Sequence, residues 1–123
     1  LCPGLIDLKV STGEPGDEHR ETIATAGRAA AAGGVTTIVL QPDTDPPLDD
    51  PALVEFVGRT PCAVRVLPMG ALTQGLRGEA MSEMALLAQA GAVAFTDGER
   101  TVANTRVMRR ALAYAATFDL TVA

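Results

Sequence analysis

Short apolar stretches and amphipathic stretches alternate along the 123 residues of the chain. Residues 5–10 alternate loosely between apolar and polar side chains, and residues 35–40 form a continuous β-branched run, so both predict strands. Residues 63–69 and 92–96 predict two more strands, and residues 120–123 begin a fifth. Amphipathic patterns between the strands predict helices over residues 18–32, 51–58, 79–90 and 105–118.

Residues near the predicted helix starts support these assignments. Asp17, Glu18 and Glu21 cluster at the start of the first helix, where the helix dipole favours negative charge. Asp50 directly precedes the helix over residues 51–58 and is a typical N-cap residue. The second helix is therefore expected to begin right after Asp50.

Strands and helices in strict alternation predict an α/β fold with a parallel sheet. Two architectures fit this order: an open doubly wound sheet and part of a (β/α)8 barrel of the TIM type. The first strand is not followed by G-x-G-x-x-G, which weakens a dinucleotide-binding interpretation. A complete barrel takes about 250 residues, so the chain corresponds to about half of one. Both ends of the chain fall inside apolar stretches, and we expect residues 1–123 to be part of a larger barrel domain.

Composition excludes several classes of function. The net charge is −5, aromatic residues make up 3% of the chain and no basic run occurs, which argues against a nucleic-acid or anionic-membrane surface. No apolar run approaches the roughly 20 residues of a membrane helix. Cys2 and Cys62 have no zinc-binding spacing and are interpreted as small buried side chains of a cytoplasmic protein.

In either parallel architecture, reactive groups collect at the carboxyl ends of the strands. Lys9 and Ser11 point to one side of the first strand, and Lys9 is either a base or nucleophile of lowered pKa or a lysine in an ion pair. Asp43 follows the second strand. It either binds a hard cation or acts in acid–base chemistry, or it is an ordinary loop residue. Asp97 follows the fourth strand and is either catalytic or part of a turn. His19 is the single histidine and is interpreted as a solvated residue at a helix start.

Several motifs run in order along the chain and resemble the dihydroorotases of the amidohydrolase superfamily. They are PGLID (residues 3–7), EPG (14–16), EHRETI (18–23), AAAAGGVTT (29–37), PDTDPP (42–47) and AGAVAFTD (90–97). The resemblance implies a metal-dependent (β/α)8 barrel of pyrimidine biosynthesis that interconverts carbamoyl aspartate and dihydroorotate. It also implies that the chain runs from the first barrel strand to the start of the fifth.

The chain departs from the family pattern at the residues that bind metal and substrate. The resemblance places Lys9 and Ser11 where the family has two zinc-binding histidines, and Gly13 where it has an arginine for the substrate carboxylate. Asp43 replaces a substrate-binding asparagine. An ungapped alignment puts Gly98 at the position of a metal-binding aspartate, and a shift of one residue would put Asp97 there.

These replacements remove metal ligands and a cation from the implied site, because a lysine ammonium repels a divalent cation that imidazole would bind. We therefore expect no zinc and no intact catalytic residue, although active relatives use zinc. Once the metal is absent, Lys9 is expected to form an ion pair with Asp7, Asp43 or Asp97.

Two functions remain open. Family members with degenerate metal ligands are known as structural partners of aspartate transcarbamoylase, so the resemblance implies a non-catalytic partner of that enzyme, oligomeric or part of a longer chain. The alternative is an active cyclic amidohydrolase with a rearranged site. Histidines at the ends of the fifth and sixth barrel strands would favour the second function.

Overall fold

A computed structural model describes all 123 residues of the chain. Its strands are β1 (Leu5–Val10), β2 (Val35–Leu40), β3 (Arg65–Pro68), β4 (Gly70–Ala71) and β5 (Phe95–Thr96). Its α-helices are α1 (Ile23–Ala32), α2 (Pro51–Arg59), α3 (Met84–Gln89) and α4 (Thr105–Thr117). None of these helices combines the length and the apolar character that crossing a membrane requires.

The strands follow one another in space as they do along the chain. β2 lies between β1 and β3, and β4 pairs with β5, all in parallel. Met69 connects β3 to β4: its N–H donates to Leu40 of β2 at 2.8 Å, and the next N–H, that of Gly70, donates to Ala94 at 2.9 Å. The strand order never reverses, as it would in a doubly wound sheet, so the elements form a segment of a barrel.

The main core lies between the outer face of the strands and the helices that cover it. Ile23, Leu40, Val54, Met84 and Phe95 are buried there. A smaller cluster of Val39, Met69 and Ala94 lies apart from it. Leu5, Ile6 and Leu8 of β1 each remain more than 60% exposed.

The prediction that the first helix starts at residue 18 is wrong, because a capping box starts α1 at Ile23. Thr22 accepts a hydrogen bond from the Thr25 N–H at 3.1 Å, and the Thr25 side chain accepts from the Thr22 N–H at 3.0 Å. Glu14 adds a third contact, accepting from the Ile23 N–H at 2.8 Å. The acidic residues Asp17, Glu18 and Glu21 therefore lie in the non-helical segment before Thr22, and they do not belong to the first helical turn.

The predicted helix over residues 79–90 is also too long. Thr73 pairs with Met81 in an antiparallel bridge, and the Gln74 N–H donates to Ala80 at 2.9 Å. These bonds hold residues 73–81 in a closed loop that contains a 3-10 turn, so the helix cannot begin before Met84.

The remaining boundaries differ less. β1 and β2 have the predicted bounds, α2 ends one residue later than predicted and α4 one residue earlier. Asp50 caps α2 as predicted, accepting from the Ala52 N–H at 2.8 Å. The strands predicted over residues 63–69 and 92–96 are shorter, and residues 120–123 contribute a single parallel bridge between Val122 and Phe95.

The prediction that both cysteines are buried is wrong. Cys2 lies exposed before β1, and Cys62 is half-buried, with its thiol 3.5 Å from the carbonyl of Ile23. Both are free thiols.

Candidate functional site

The predicted site residues follow the carboxyl ends of three strands. Lys9 is the last residue but one of β1, Ser11 and Gly13 lie just beyond that strand, Asp43 follows β2, and Asp97 and Gly98 follow β5. Because the strands are parallel, these residues lie at one edge of the barrel segment, as predicted.

Lys9 forms an ion pair with Glu99 in the loop after β5. The Nζ–Oε1 distance is 2.6 Å, and the two side chains are 63% and 80% exposed. The hydrogen bond and the attraction between the two charges raise the pKa of Lys9 and lower the pKa of Glu99. The Lys9 side chain is therefore a protonated, exposed ion-pair partner, and its pKa moves opposite to that of a lysine base or nucleophile.

The prediction that Lys9 pairs with Asp7, Asp43 or Asp97 is wrong. The Asp7 carboxylate accepts the backbone N–H of Lys9 at 3.1 Å. Asp97 is turned towards Thr73, and Asp43 adds only a weaker attraction that contributes to the raised pKa of Lys9. Glu99 is the carboxylate that reaches the ammonium, because its longer side chain extends from an exposed loop position.

Ser11 and Asp43 connect the ends of β1 and β2. The Ser11 hydroxyl donates a hydrogen bond to Oδ2 of Asp43 at 2.8 Å. Ser11, after β1, is therefore hydrogen-bonded to Asp43, after β2, and the proton of the Ser11 hydroxyl is used in this bond.

Gly13 is buried against the backbone of the following turn. Its N–H donates to the Glu21 carbonyl at 2.9 Å, and a Cβ atom at this position would lie 1.9 Å from the Asp17 carbonyl oxygen. No larger side chain fits unless the turn moves. Gly13 therefore supports the loop geometry and leaves no room for an arginine.

Asp97 is buried and holds the loop that follows β4. It is 5% exposed, and its carboxylate accepts the Thr73 N–H at 2.9 Å and the Thr73 hydroxyl. The Thr73 hydroxyl oxygen in turn accepts the Gly78 N–H at 2.9 Å. Such a satisfied, buried carboxylate stabilises the loop, and its oxygens are already engaged.

Gly98 has no side chain to offer and adopts a left-handed backbone with φ of 62°. A Cβ atom here would lie 3.5 Å from Oε1 of Gln41, which is in ordinary contact range. The left-handed conformation favours glycine over a residue with a side chain.

The comparisons with known proteins agree with this geometry. A family model described as Dihydro-orotase-like matches residues 1–123. The chain belongs to this dihydro-orotase-like family.

Individual relatives give the extent of the similarity. The chain is 48% identical over 125 aligned positions to a dihydroorotase of Syntrophobacter fumaroxidans, covering 99% of this chain and 28% of that protein. It is 48% identical over 124 positions to a dihydroorotase-like protein of Pseudomonas aeruginosa, covering 98% of this chain and 29% of that one. The chain thus spans less than a third of the length of these relatives.

A solved structure shows the same fold. The L-hydantoinase (dihydropyrimidinase) of Arthrobacter aurescens superposes with a TM-score of 0.80 at 21% identity, covering 98% of this chain and 28% of that one. The dihydro-orotase-like chain is therefore a segment of such a TIM-type barrel, which confirms the predicted fold class.

The residues at the strand ends of this dihydro-orotase-like chain do not fit zinc. Zinc in proteins is bound by imidazole, thiolate and carboxylate groups, whereas Lys9 is a paired ammonium and the Ser11 hydroxyl donates to Asp43. Asp97 is engaged by Thr73, and no group of three His, Cys, Asp or Glu side chains is arranged to hold a metal ion. No chemical step through a metal follows from these residues.

Two residues of the site were not singled out from the sequence. Thr73 has only a hydroxyl group, which by itself predicts no chemistry, yet its N–H and hydroxyl both donate to Asp97. Gln41 is 6% exposed and lines the cavity of about 670 Å³ that also contains Lys9, Thr96 and Gly98. The signal that could have identified Gln41 is its position, because it is a polar residue directly after a buried strand.

Proposed function

We propose that the chain is part of a non-catalytic dihydroorotase-like protein of pyrimidine biosynthesis, which acts in the cytoplasm as a structural partner of aspartate transcarbamoylase. The observation that carries this proposal is the Lys9–Glu99 ion pair at the end of β1. It puts an ammonium where active members of the family, by resemblance, have a metal-binding imidazole.

The electrostatics of the strand ends support this proposal. Lys9 is a protonated ammonium with no lone pair for a metal ion, and its ion pair with Glu99 keeps it protonated. Asp43 adds negative charge beside Ser11, where an anionic substrate would have to approach. Metal binding is therefore disfavoured at Lys9, and binding of an anionic substrate is disfavoured directly beside Ser11 and Asp43.

The packing of the loops supports a retained scaffold. The Asp97–Thr73–Gly78 hydrogen bonds and the close packing of Gly13 hold the strand-end loops through protein contacts alone. A barrel that keeps its loops in place without metal retains the surfaces that a structural partner needs. Two relatives, from Pseudomonas aeruginosa and Pseudomonas putida, carry the name dihydroorotase-like protein.

One observation favours the alternative, an active cyclic amidohydrolase with a rearranged site. Similar identities, 48% and 47%, relate the chain to proteins of Syntrophobacter fumaroxidans and Pelotomaculum thermopropionicum that are named dihydroorotase. Under this alternative, ring closure would use Asp97 or Lys9, or one metal held by residues outside positions 1–123.

Co-purification with aspartate transcarbamoylase of the same organism tests the proposal. We expect a stable complex in size-exclusion chromatography, no ring closure of carbamoyl aspartate by the dihydroorotase-like subunit, and unchanged complex formation in a Lys9→Gln variant. Separate elution of the two proteins would contradict the partnership. Ring closure that is lost in the Lys9→Gln variant would support the enzyme instead.

A further inference from the structure

A polar cleft of about 600 Å³ lies over the loops that follow β1, β2, β4 and β5. None of its lining residues is hydrophobic, in contrast to the cavity inside the barrel segment. Its charged lining residues are three arginines and three aspartates: Arg20, Arg77, Arg100, Asp17, Asp43 and Asp45.

Some of these charges are neutralised within the cleft and others are not. Arg20 pairs with Asp17 at 3.4 Å, whereas Asp43 accepts only the neutral Ser11 hydroxyl and keeps its negative charge. The ion pairs of the chain involve Lys9, His19, Arg20 and Arg59, and they include neither Arg77 nor Arg100. The cleft therefore holds two guanidinium groups without a carboxylate partner.

The fold holds both guanidinium groups beside one short loop. The Arg77 side chain lies over Gly75, with its Nε atom 3.0 Å from the position that a Cβ atom of Gly75 would take. Asp49 fixes this loop by accepting the Gly75 N–H at 2.8 Å. Arg100 donates from Nη1 to the Leu76 carbonyl at 3.4 Å. A Cβ atom at Gly75 would crowd the Arg77 side chain, so glycine suits this close approach.

We propose that this cleft binds a small oxyanion, a carboxylate or a phosphate, through the guanidinium groups of Arg77 and Arg100. Guanidinium is planar and offers paired N–H donors that match carboxylate and phosphate oxygens. Asp43 and Asp45 are the aspartates of the lining without an ion pair, so both oppose the anion, and the two guanidinium groups have to outweigh them. This site lies beyond the proposed role as a structural partner, which requires no small ligand.

Isothermal titration of the purified protein with sodium phosphate and with sodium succinate, at constant ionic strength, tests the site. We expect saturable binding of at least one of them, weakened about tenfold, or about 1.4 kcal/mol, by Arg77→Gln or Arg100→Gln. Asp45→Asn is expected to tighten binding, because it removes one of the two opposing charges. Higher sodium chloride concentrations should weaken binding, because the two arginines are exposed.

Arg59→Gln is the matched control, since Arg59 lies on α2, pairs with Glu55 and does not line the cleft. It should leave binding unchanged. Binding of succinate alone identifies a carboxylate ligand, and binding of phosphate alone identifies a phosphate ligand. Failure of both anions to saturate, or equal affinity in the Arg77→Gln/Arg100→Gln double variant, would overturn the proposal.

Discussion

The Lys9 ammonium lies 2.6 Å from the Glu99 carboxylate and joins the end of β1 to the loop after β5. Both side chains are exposed, so water and salt screen the attraction between them. The pair nevertheless carries no net charge, because the Lys9 ammonium and the Glu99 carboxylate neutralise each other.

The pH dependence of this pair follows from the two pKa shifts. The pKa of Glu99 is lowered by the Lys9 hydrogen bond, so its stabilising contribution is lost as the pH falls through the folded-state pKa. The pKa of Lys9 is raised by Glu99, so its contribution is lost only as the pH rises through that raised value. We expect the pair to persist through neutral pH, and an NMR titration of the Glu99 side-chain carboxyl should give a midpoint below the usual range for glutamate.

A Lys9→Gln variant provides the comparison for this titration. It removes the hydrogen bond that the ammonium donates to Glu99 and the attraction between the two charges. The midpoint of the Glu99 titration should therefore move upwards towards the usual range for glutamate. An identical midpoint in the two proteins would show that the ion pair does not form in solution.

Sequence patterns predicted the elements with strong periodicity and missed the helix starts that side-chain caps and loop pairing determine. β1 and β2 have the predicted bounds because the alternating pattern of the first and the β-branched run of the second each extend over the whole strand. The start of α1 was missed because the Thr22–Thr25 capping box outweighs the acidic residues before it. The start of α3 was missed because the pairing of Thr73 with Met81 takes residues out of the helix.

The site could be located from the sequence, but its contacts could not. Parallel strands bring their carboxyl ends together, which was enough to group Lys9, Ser11, Asp43 and Asp97. The partner of Lys9 depended on which carboxylates were free. Asp97 is engaged by Thr73, which leaves Glu99, 90 positions from Lys9 along the chain, as the ion-pair partner.

Gly13 is expected to tolerate no side chain. Gly13→Ala places a Cβ atom 1.9 Å from the Asp17 carbonyl oxygen, so the turn must shift and the midpoint of thermal unfolding should fall. Gly58→Ala is the control, because nothing lies within 4 Å of its Cβ position and it lies in α2. Alanine there should stabilise the protein by about 0.5–1 kcal/mol. Equal unfolding midpoints for the two variants would contradict the packing at Gly13.

Restoring the family residues at the end of β1 is expected not to restore activity. A Lys9→His, Ser11→His and Gly13→Arg triple variant regains two imidazoles, but the arginine does not fit its turn, and Gly98 still lacks a carboxylate. We expect no ring closure of carbamoyl aspartate.

We also expect no stoichiometric zinc after dialysis of the unaltered protein, measured by elemental analysis. One zinc ion per chain that survives dialysis would contradict the assignment of these residues.

The bond between Asp97 and Thr73 is expected to stabilise the whole segment. Thr73→Val removes the hydroxyl and leaves the buried Asp97 carboxylate with only the Thr73 N–H, which is costly because water cannot replace the lost donor. The free energy of unfolding in urea should fall by about 2 kcal/mol or more. The Gly78 N–H should also exchange with solvent faster, because it loses its acceptor on Thr73.

Thr101→Val is the matched control for this prediction. Thr101 is exposed, and its side chain forms no hydrogen bond, so the same substitution there should change stability by no more than about 0.5 kcal/mol. If Thr73→Val and Thr101→Val unfold at the same urea concentration, the Asp97 contact does not hold the loop after β4. If Thr73→Val alone is destabilised and Gly78 exchange alone is accelerated, Asp97 is a structural residue that fixes this loop, and it is not available as a metal ligand.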